Sequence, residues 1–165
     1  MFHLPKIILA SGSPRRAEIL TSVGWEFEKH VANIDEAEGE GERAEDYVVR
    51  LAKEKALAVA AYYPDAIVLG ADTTVVIDGQ IIAKPTDLDH AREMLRMLSG
   101  RWHEVLTGVA IAQDESLRTG MQRTRVKFAE MTEDEIGFLA DKGDPLDKAG
   151  AYAVQAQAAL FIEGI

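Results

Sequence analysis

The feature that most constrains this chain is a strand pattern that runs with almost no spacer into a helix start. Residues 6–10, Lys-Ile-Ile-Leu-Ala, have the pattern of a short buried strand, and they deliver Ser11-Gly12-Ser13-Pro14-Arg15-Arg16. Ser13 stands at a cap position and Pro14 at the first helical position, where its fixed φ is already helical and its missing N–H is no loss. The alternation continues. A helix ending near Val23-Gly24 precedes a strand over 27–34, and 36–45 is an acidic, glycine-containing loop. The clearest helix covers 45–63 and is closed by Pro64. A buried strand over 66–72 follows, then a hairpin over 74–82 turning at Asp78-Gly79. A helix starts at Thr86 or Asp87, runs to Leu98 and stops at Ser99-Gly100; strands over 102–112 and 118–128 come next. Thr132 and Glu135 have capping-box spacing ahead of a short helix, and 158–162 reads as a final strand. Such alternation predicts an α/β fold with a largely parallel or mixed sheet. With 165 residues and no internal repeat, low-complexity tract or linker, the chain is expected to form one domain or one two-lobed unit.

Composition removes whole classes of function. The chain has no cysteine, which excludes a thiol nucleophile, a Cys-type zinc site, an iron–sulfur cluster and a disulfide framework, and suits a reducing cytoplasm. Net charge is −10, with the acidic surplus concentrated in 35–46, 87–93 and 130–147. That argues against a nucleic-acid polymer or an anionic membrane as partner, but not against a small anion in a local basic pocket. The N-terminal apolar run is short and broken by Pro5 and Lys6, unlike a signal peptide. No apolar stretch approaches the roughly 20 residues of a membrane span, so the chain reads as cytoplasmic.

Chemistry has several candidate locations. Ser11-Gly12-Ser13 at a helix N-terminus presents free N–H groups, two hydroxyls and the positive end of the helix dipole, with Arg15 and Arg16 beside them. That is a phosphate cradle in composition. Ser-x-Ser-Pro caps are common, however, and taken alone the segment reads as a capped helix with two surface arginines. Gly70-Ala71-Asp72-Thr73-Thr74 ends the apolar run 66–69, and a carboxylate at the carboxyl end of a buried strand sits where open α/β sheets hold ligands. Asp72 is therefore expected to bind a divalent cation, to act as a base toward water, or both; that leads over a simple turn-capping role. On the helix over 45–63, a 100° step places Tyr47, Val48, Leu51, Ala58, Val59 and Tyr62 on one face with Lys55 among them. A lysine so directed must snorkel outward or meet an anion, and phase does not decide which.

Other features carry less. Asp35-Glu36 is a carboxylate pair opening an acidic stretch, and Lys84-Pro85 fixes a lysine in the loop after the hairpin. His103 is structural by default, and His90 is read as exposed on its helix. No Ser-His-Asp arrangement and no zinc-ligand spacing of histidines is present. The stretch 147–155 combines small residues with polar heads. Gln155 carries both a donor and an acceptor, as reading a base edge requires, yet on spacing alone the stretch is a tight irregular connection.

Together these segments are specific. Leu9-Ala10-Ser11-Gly12-Ser13-Pro14-Arg15-Arg16, Leu51-Ala52-Lys53-Glu54-Lys55-Ala56, Gly70-Ala71-Asp72-Thr73, Lys84-Pro85, Met94-Leu95-Arg96-Met97-Leu98-Ser99-Gly100 and Asp147-Lys148-Ala149-Gly150-Ala151-Tyr152 resemble, in order and over almost the whole chain, the Maf family of nucleoside triphosphate pyrophosphatases. The resemblance implies an elongated two-lobed α/β fold of the Maf/inosine-triphosphatase type, with a central mixed sheet and a cleft. It implies hydrolysis of a nucleoside triphosphate between the α and β phosphates with a divalent cation, magnesium or manganese, in a homodimer. Asp72 matches the family's proton acceptor, and Glu36, Lys55 and Lys84 its catalytic lining, with Asp72 and Glu36 toward the metal. Ser11, Ser13 and Arg16 match the substrate-binding lining; Arg15, Thr73 and Gln155 match the positions that set specificity in the dTTP/UTP branch. Ala153 and Ala156 stand where that branch commonly has glycine, and the chain stops before the Gly-Leu-Pro segment and closing helix with which relatives continue, so a domain of 1–165 lacking that segment is expected. A noncatalytic nucleotide-binding regulator linked to cell division, or a phosphatase of another fold releasing orthophosphate, are the competing readings.

Overall fold

The computed structural model describes residues 3–165, apart from the side chain of Ala156. The elements, in chain order, are β1 Ile7–Ala10, α1 Pro14–Ser22, β2 Phe27–Lys29, α2 Ala44–Ala60, β3 Ile67–Ile77, β4 Gln80–Ile82, α3 Leu88–Leu98, β5 Trp102–Gln113, β6 Ser116–Phe128, α4 Glu133–Lys142 and β7 Ile162–Gly164. The strands form a seven-stranded sheet in the order β2-β1-β3-β5-β6-β7, with β4 against β3. It is mixed, because β1 lies parallel to β2 and β3 while the β3–β4 and β6–β7 pairs are antiparallel. The α/β class with a mixed sheet is thus as the alternation predicts. Among the described residues no helix is long and apolar enough to cross a membrane.

The chain forms two compact units, and the boundary falls inside β3, after Asp72. The first comprises the chain up to Asp72 and Thr107–Gln122. Its sheet is covered on both faces, which is why β1 is buried at every position. Ile8, Ala10 and Val68 pack with Ala52, Ala56 and Val59 of α2, whereas Ile7, Leu9, Ile67 and Leu69 pack with Ala17 and Leu20 of α1. Opposite parity along each strand sorts the two sets. The second unit comprises Thr73–Leu106 and Arg123–Ile165. Val75, Ile77 and Ile82 of the β3–β4 hairpin pack there with Leu95 and Leu98 of α3, Ile136 and Leu139 of α4, and Phe128.

Caps and turns follow sequence chemistry closely. Asp78 and Gly79 both have positive φ, 52° and 77°, as a two-residue hairpin turn of the primed type requires. Asp87 caps α3 by accepting the His90 N–H at 2.8 Å, and Thr132 and Glu135 form the reciprocal capping box of α4. Ser13 is the N-cap of α1, but its hydroxyl makes no capping bond; instead its N–H donates to Ser11 Oγ at 3.2 Å.

Four segments differ from their sequence expectation. The strand over 66–72 and the first arm of the hairpin are one continuous strand, β3, because Thr73 and Thr74 are β-branched and keep the chain extended through the polar break. The strand expected over 27–34 is only Phe27–Lys29, since its partner β1 ends at Ala10, one residue past their last pair. The helix over 45–63 runs Ala44–Ala60, which leaves Tyr62 beyond it and exposed. Finally, Ala156–Phe161 is a 3₁₀ turn and the last strand begins at Ile162. The alanines of that segment have little strand propensity, and the Phe161 carbonyl is used to accept the Ala129 N–H.

Candidate active site

The first unit builds a buried ionic cluster from its sheet and α2. Val68, Gly70 and Asp72 alternate onto the α2 side of β3. A Cβ on Gly70 would lie 2.3 Å from the Ala52 carbonyl oxygen, so glycine is what permits the helix backbone to come this close. One turn beyond Ala52, Lys55 reaches the strand. Its Nζ lies 2.7 Å from Asp72 Oδ1 and 2.6 Å from Glu36 Oε1. Lys55 and Asp72 are both 8% exposed, whereas the Glu36 side chain is 41% exposed. The anion that Lys55 meets in the structure is therefore a pair of carboxylates. Burial pushes the Asp72 carboxyl above its ordinary range, against the opposing pull of the Lys55 ammonium and the more distant Arg16 guanidinium.

The β1–α1 connection lies in the same unit. Ser11 is buried, and its Oγ accepts from both Ser13 N–H and Arg16 Nη1, the latter at 2.9 Å. Arg16 Nη1 also donates to the Ala71 carbonyl oxygen at 2.9 Å, tying the loop to β3 immediately before Asp72. Burial lowers the Arg16 pKa, with Asp72 opposing the shift. The guanidinium stays charged, because arginine starts so high. Ser13 and Arg15 are half-buried at the same helix start. Ser11, Ser13, Arg15, Arg16, Glu36, Lys55 and Asp72 thus belong to one compact unit.

Thr73, Lys84 and Gln155 belong to the second unit. Lys84 is exposed just after β4, and Gln155 is exposed at the start of the 3₁₀ turn Ala156–Phe161. The 147–155 stretch is indeed an irregular connection, but a well-anchored one. Gly150, at φ 67°, donates its N–H to the Ala83 carbonyl oxygen at 3.2 Å, and a Cβ there would press to 2.9 Å from Val75 Cγ2. Lys148 is buried, with its Nζ bonded to the Asp144 carbonyl oxygen and 2.9 Å from Asp147 Oδ1. Within this unit the Lys84 loop and the segment leading to Gln155 are thereby joined. Ala153 is half-buried, and the side chain of Ala156 lies outside the described residues.

A family model for Maf-like proteins matches residues 6–165. The chain belongs to the Maf-like family. It is 50% identical over 163 residues to the dTTP/UTP pyrophosphatase of Hahella chejuensis, a match that covers 97% of this chain and 81% of that one. The dTTP/UTP pyrophosphatase of Bacillus cereus is 47% identical over 162 residues, covering 98% and 85%; that of Salmonella typhimurium is 47% identical over 160 residues, covering 96% and 81%. Among solved structures, the Staphylococcus aureus Ham1 protein superposes with a TM-score of 0.55 at 14% identity, over 94% of this chain and 90% of that one, which shows a shared fold.

For this Maf-like chain the carboxylates can be tested against a divalent cation by their chemistry. Asp72 and Glu36 each place an oxygen against one ammonium, which puts those oxygens within about 5 Å of each other. Among the described residues no group of three or more His, Cys, Asp or Glu is placed to hold a metal. Two carboxylates with the remaining positions left to water and phosphate are the mode in which magnesium is usually held. The donor set fits.

Sequence reasoning missed two side chains that shape this cluster. Tyr47, placed on the apolar face of its helix by phase, is buried but donates its hydroxyl to the Glu36 carbonyl oxygen at 2.9 Å. Burial, with Asp72 and Glu36 nearby, pushes its phenol up to about 12. Arg50 bonds Glu42, Glu54 and the Ala37 carbonyl oxygen. The spacing of Arg50 and Glu54, four residues apart on a helix, was the available signal.

Proposed function

We propose that this chain is a nucleoside triphosphate pyrophosphatase of the dTTP/UTP type, with 1–165 working as a single catalytic domain. The observation that carries the reading is the buried Asp72–Lys55 pair beside the phosphate-compatible β1–α1 loop that Arg16 ties to β3, in a chain about half identical to proteins named dTTP/UTP pyrophosphatase. A carboxylate whose affinity for protons is raised by burial is better matched to taking one from water near neutral pH than an exposed aspartate is. Asp72 would accept that proton as the water oxygen bonds to the α phosphorus and the bond from that phosphorus to the bridging oxygen breaks. Pyrophosphate leaves with the electron pair and the nucleoside monophosphate remains.

The other residues would hold the charge. Ser11, Ser13, Arg15 and Arg16 at the α1 N-terminus, with Lys55 and Lys84, offer N–H and cationic groups for phosphate oxygens. Asp72 and Glu36 would hold magnesium or manganese, which when bound offsets negative charge on the phosphate chain. Arg15, Thr73 and Gln155 would select the pyrimidine nucleotide, Gln155 through its paired donor and acceptor. A nucleotide rather than a nucleic acid or a membrane as partner, a cytoplasmic location and a homodimer complete the reading.

The test is product identification with dTTP and UTP in the presence of magnesium or manganese. Pyrophosphate is the expected product, and Asp72→Asn is expected to lower kcat by about 10²- to 10⁴-fold, the usual span for a positioned base. Turnover by Asp72→Asn equal to that of the parent would remove the assigned role. Saturable nucleotide binding without metal-dependent product would support a noncatalytic regulator instead, and orthophosphate as first product would indicate a different phosphatase chemistry.

A further inference from the structure

Glu36 has no helix or strand of its own. It lies between β2, which ends at Lys29, and α2, which begins at Ala44, in a segment containing two glycines, one of them at φ 68°. Such a segment has many conformations open to it, and ordering its backbone costs conformational entropy at every residue. Yet the Glu36 carboxylate stands 2.6 Å from Lys55 Nζ. Something else must hold the segment in place.

The fastening is supplied by one face of α2. Tyr47 donates its hydroxyl to the carbonyl oxygen of Glu36 itself at 2.9 Å. Three residues on, Arg50 donates Nη2 to the next carbonyl oxygen, that of Ala37, at 3.0 Å. The same guanidinium grips Glu42 with both arms of its fork, Nε to Oε1 at 2.6 Å and Nη2 to Oε2 at 2.7 Å. Glu42 in turn closes the segment on itself. Its Oε2 accepts the Gly39 N–H at 2.9 Å, and its own N–H donates to the Gly39 carbonyl oxygen at 3.0 Å. Arg50 is braced by Glu54, at 3.3 Å one turn along, and by the Tyr47 ring, 5.6 Å from its guanidinium carbon. Lys55 rides on the same helix, so the distance between fastening and ammonium is set by rigid helical geometry.

We infer that Arg50, acting through Glu42, is a positioning residue that presents Glu36 to the Lys55–Asp72 pair. The inference rests on the role proposed for Glu36 above. A planar fork with five donors can bond a carboxylate twice and a carbonyl at the same time; a lysine ammonium at the end of a flexible stem cannot reproduce that arrangement. Arg50→Lys therefore keeps the charge and loses the grip. Changes to residues that orient a metal-holding group usually cost 10- to 100-fold in metal affinity or activity.

The experiment is a double-mutant cycle on the full chain, measuring pyrophosphate release over a magnesium titration for the parent, Arg50→Lys, Glu36→Gln and the double variant. Arg50→Lys is expected to lower activity at limiting magnesium by about 10- to 100-fold, with the loss shrinking as magnesium is raised. In the Glu36→Gln background the same change is expected to cost less than about twofold, because the residue it positions is already disabled. Equal losses in both backgrounds would overturn the inference and leave Arg50 a general stabiliser of the fold. Glu36→Gln alone leaving activity untouched would instead overturn the role assigned to Glu36. Amide exchange is read independently of activity. Gly39 and Glu42 are expected to exchange at least tenfold faster in Arg50→Lys while β1 amides are unchanged, and unchanged exchange at Gly39 and Glu42 would equally overturn the fastening.

Discussion

Lys55 and His103 are both almost completely buried, one in each compact unit, and they are accommodated by opposite means. Lys55, 8% exposed, is held between two carboxylates, with Asp72 Oδ1 at 2.7 Å and Glu36 Oε1 at 2.6 Å. His103, 2% exposed, has no carboxylate partner among the described residues. Its Nε2 shares a hydrogen bond of 2.5 Å with the Tyr152 hydroxyl, and its ring meets Phe128 and Tyr152 edge-on. Desolvation pulls its imidazole down to about 4, and with it pushes the Tyr152 phenol up. Lys55 is kept in an ion pair, and His103 is kept uncharged. Buried ion pairs are weak devices for stability, since the loss of hydration on both partners offsets much of their attraction. Here the pair lies mid-strand in β3, beside the β1–α1 connection that Arg16 ties to the Ala71 carbonyl oxygen. The neutral pair fills space and joins His103 Nε2 to the Tyr152 hydroxyl, while His103 Nδ1 is buried with no hydrogen-bond partner among the described residues.

The largest effect that sharpens this contrast comes from removing one charge. Lys55→Met leaves Asp72 buried without its ammonium and is expected to lower the unfolding free energy by about 3–5 kcal/mol at neutral pH, measured by urea denaturation. Losing the cation also raises the Asp72 pKa further, so its neutral form takes over at higher pH. A carboxyl with a raised folded pKa favours the folded state below that pKa and opposes it as pH climbs through it. The variant should therefore recover stability relative to the parent as pH falls, and Lys55→Met/Asp72→Asn should recover most of the loss at neutral pH. A double variant no more stable than Lys55→Met alone would show that the pair is not the source of the cost.

The second effect tests the neutral side. Folded His103 binds a proton only near pH 4, whereas unfolded histidine does so near 6.5. The unfolded chain therefore binds more protons between those values. The contribution of the residue is complete above about pH 6.5 and is lost progressively as pH falls toward 4, a swing of roughly 3 kcal/mol. His103→Phe removes the titration, so its stability curve is expected to lack this decline even though it starts lower at neutral pH. Parallel curves for parent and variant between pH 4 and 6.5 would refute the assignment of His103 as a neutral core residue.

What the sequence disclosed of these two interiors follows the range of the forces involved. The parity of β3 and the phase of α2 are local, so Asp72 at the strand and Lys55 on the inward face were legible, as were the hairpin turn at Asp78-Gly79 and the capping box at Thr132. Phase could not say whether Lys55 snorkels or meets an anion, because its partners come from β3 and from the segment before α2. The pattern ends the strand over 66–72 too early for a related reason. Thr73 and Thr74 look like a polar break, but Thr74 is buried at 2% exposure, and only tertiary packing shows that. Tyr47 was legible as a buried ring and not as a hydroxyl donor, since an aromatic on an apolar stripe gives no sign of where its polar tip ends. His103 was legible by default alone. Its partner Tyr152 lies 49 residues away, and no local pattern links them.

The smallest effect separates burial from hydrogen bonding within the neutral pair. Tyr152→Phe keeps the ring, whose packing against Phe128 at 4.7 Å is apolar, and deletes only the hydroxyl on His103 Nε2. Leaving one buried polar atom unsatisfied costs about 1–3 kcal/mol, and loss of a single neutral hydrogen bond places the expected value toward the lower end. Because desolvation, rather than the tyrosine, is what lowers the imidazole pKa, the decline in stability below pH 6.5 should persist in this variant. The two curves should run parallel, offset by about 1 kcal/mol. A decline that vanished with the hydroxyl would mean that the Tyr152 bond, and not the dry surroundings, keeps His103 uncharged. His103 would then owe its protonation state to a specific partner, as Lys55 does to Asp72 and Glu36, and the contrast between dry surroundings at one residue and paired charge at the other would fail.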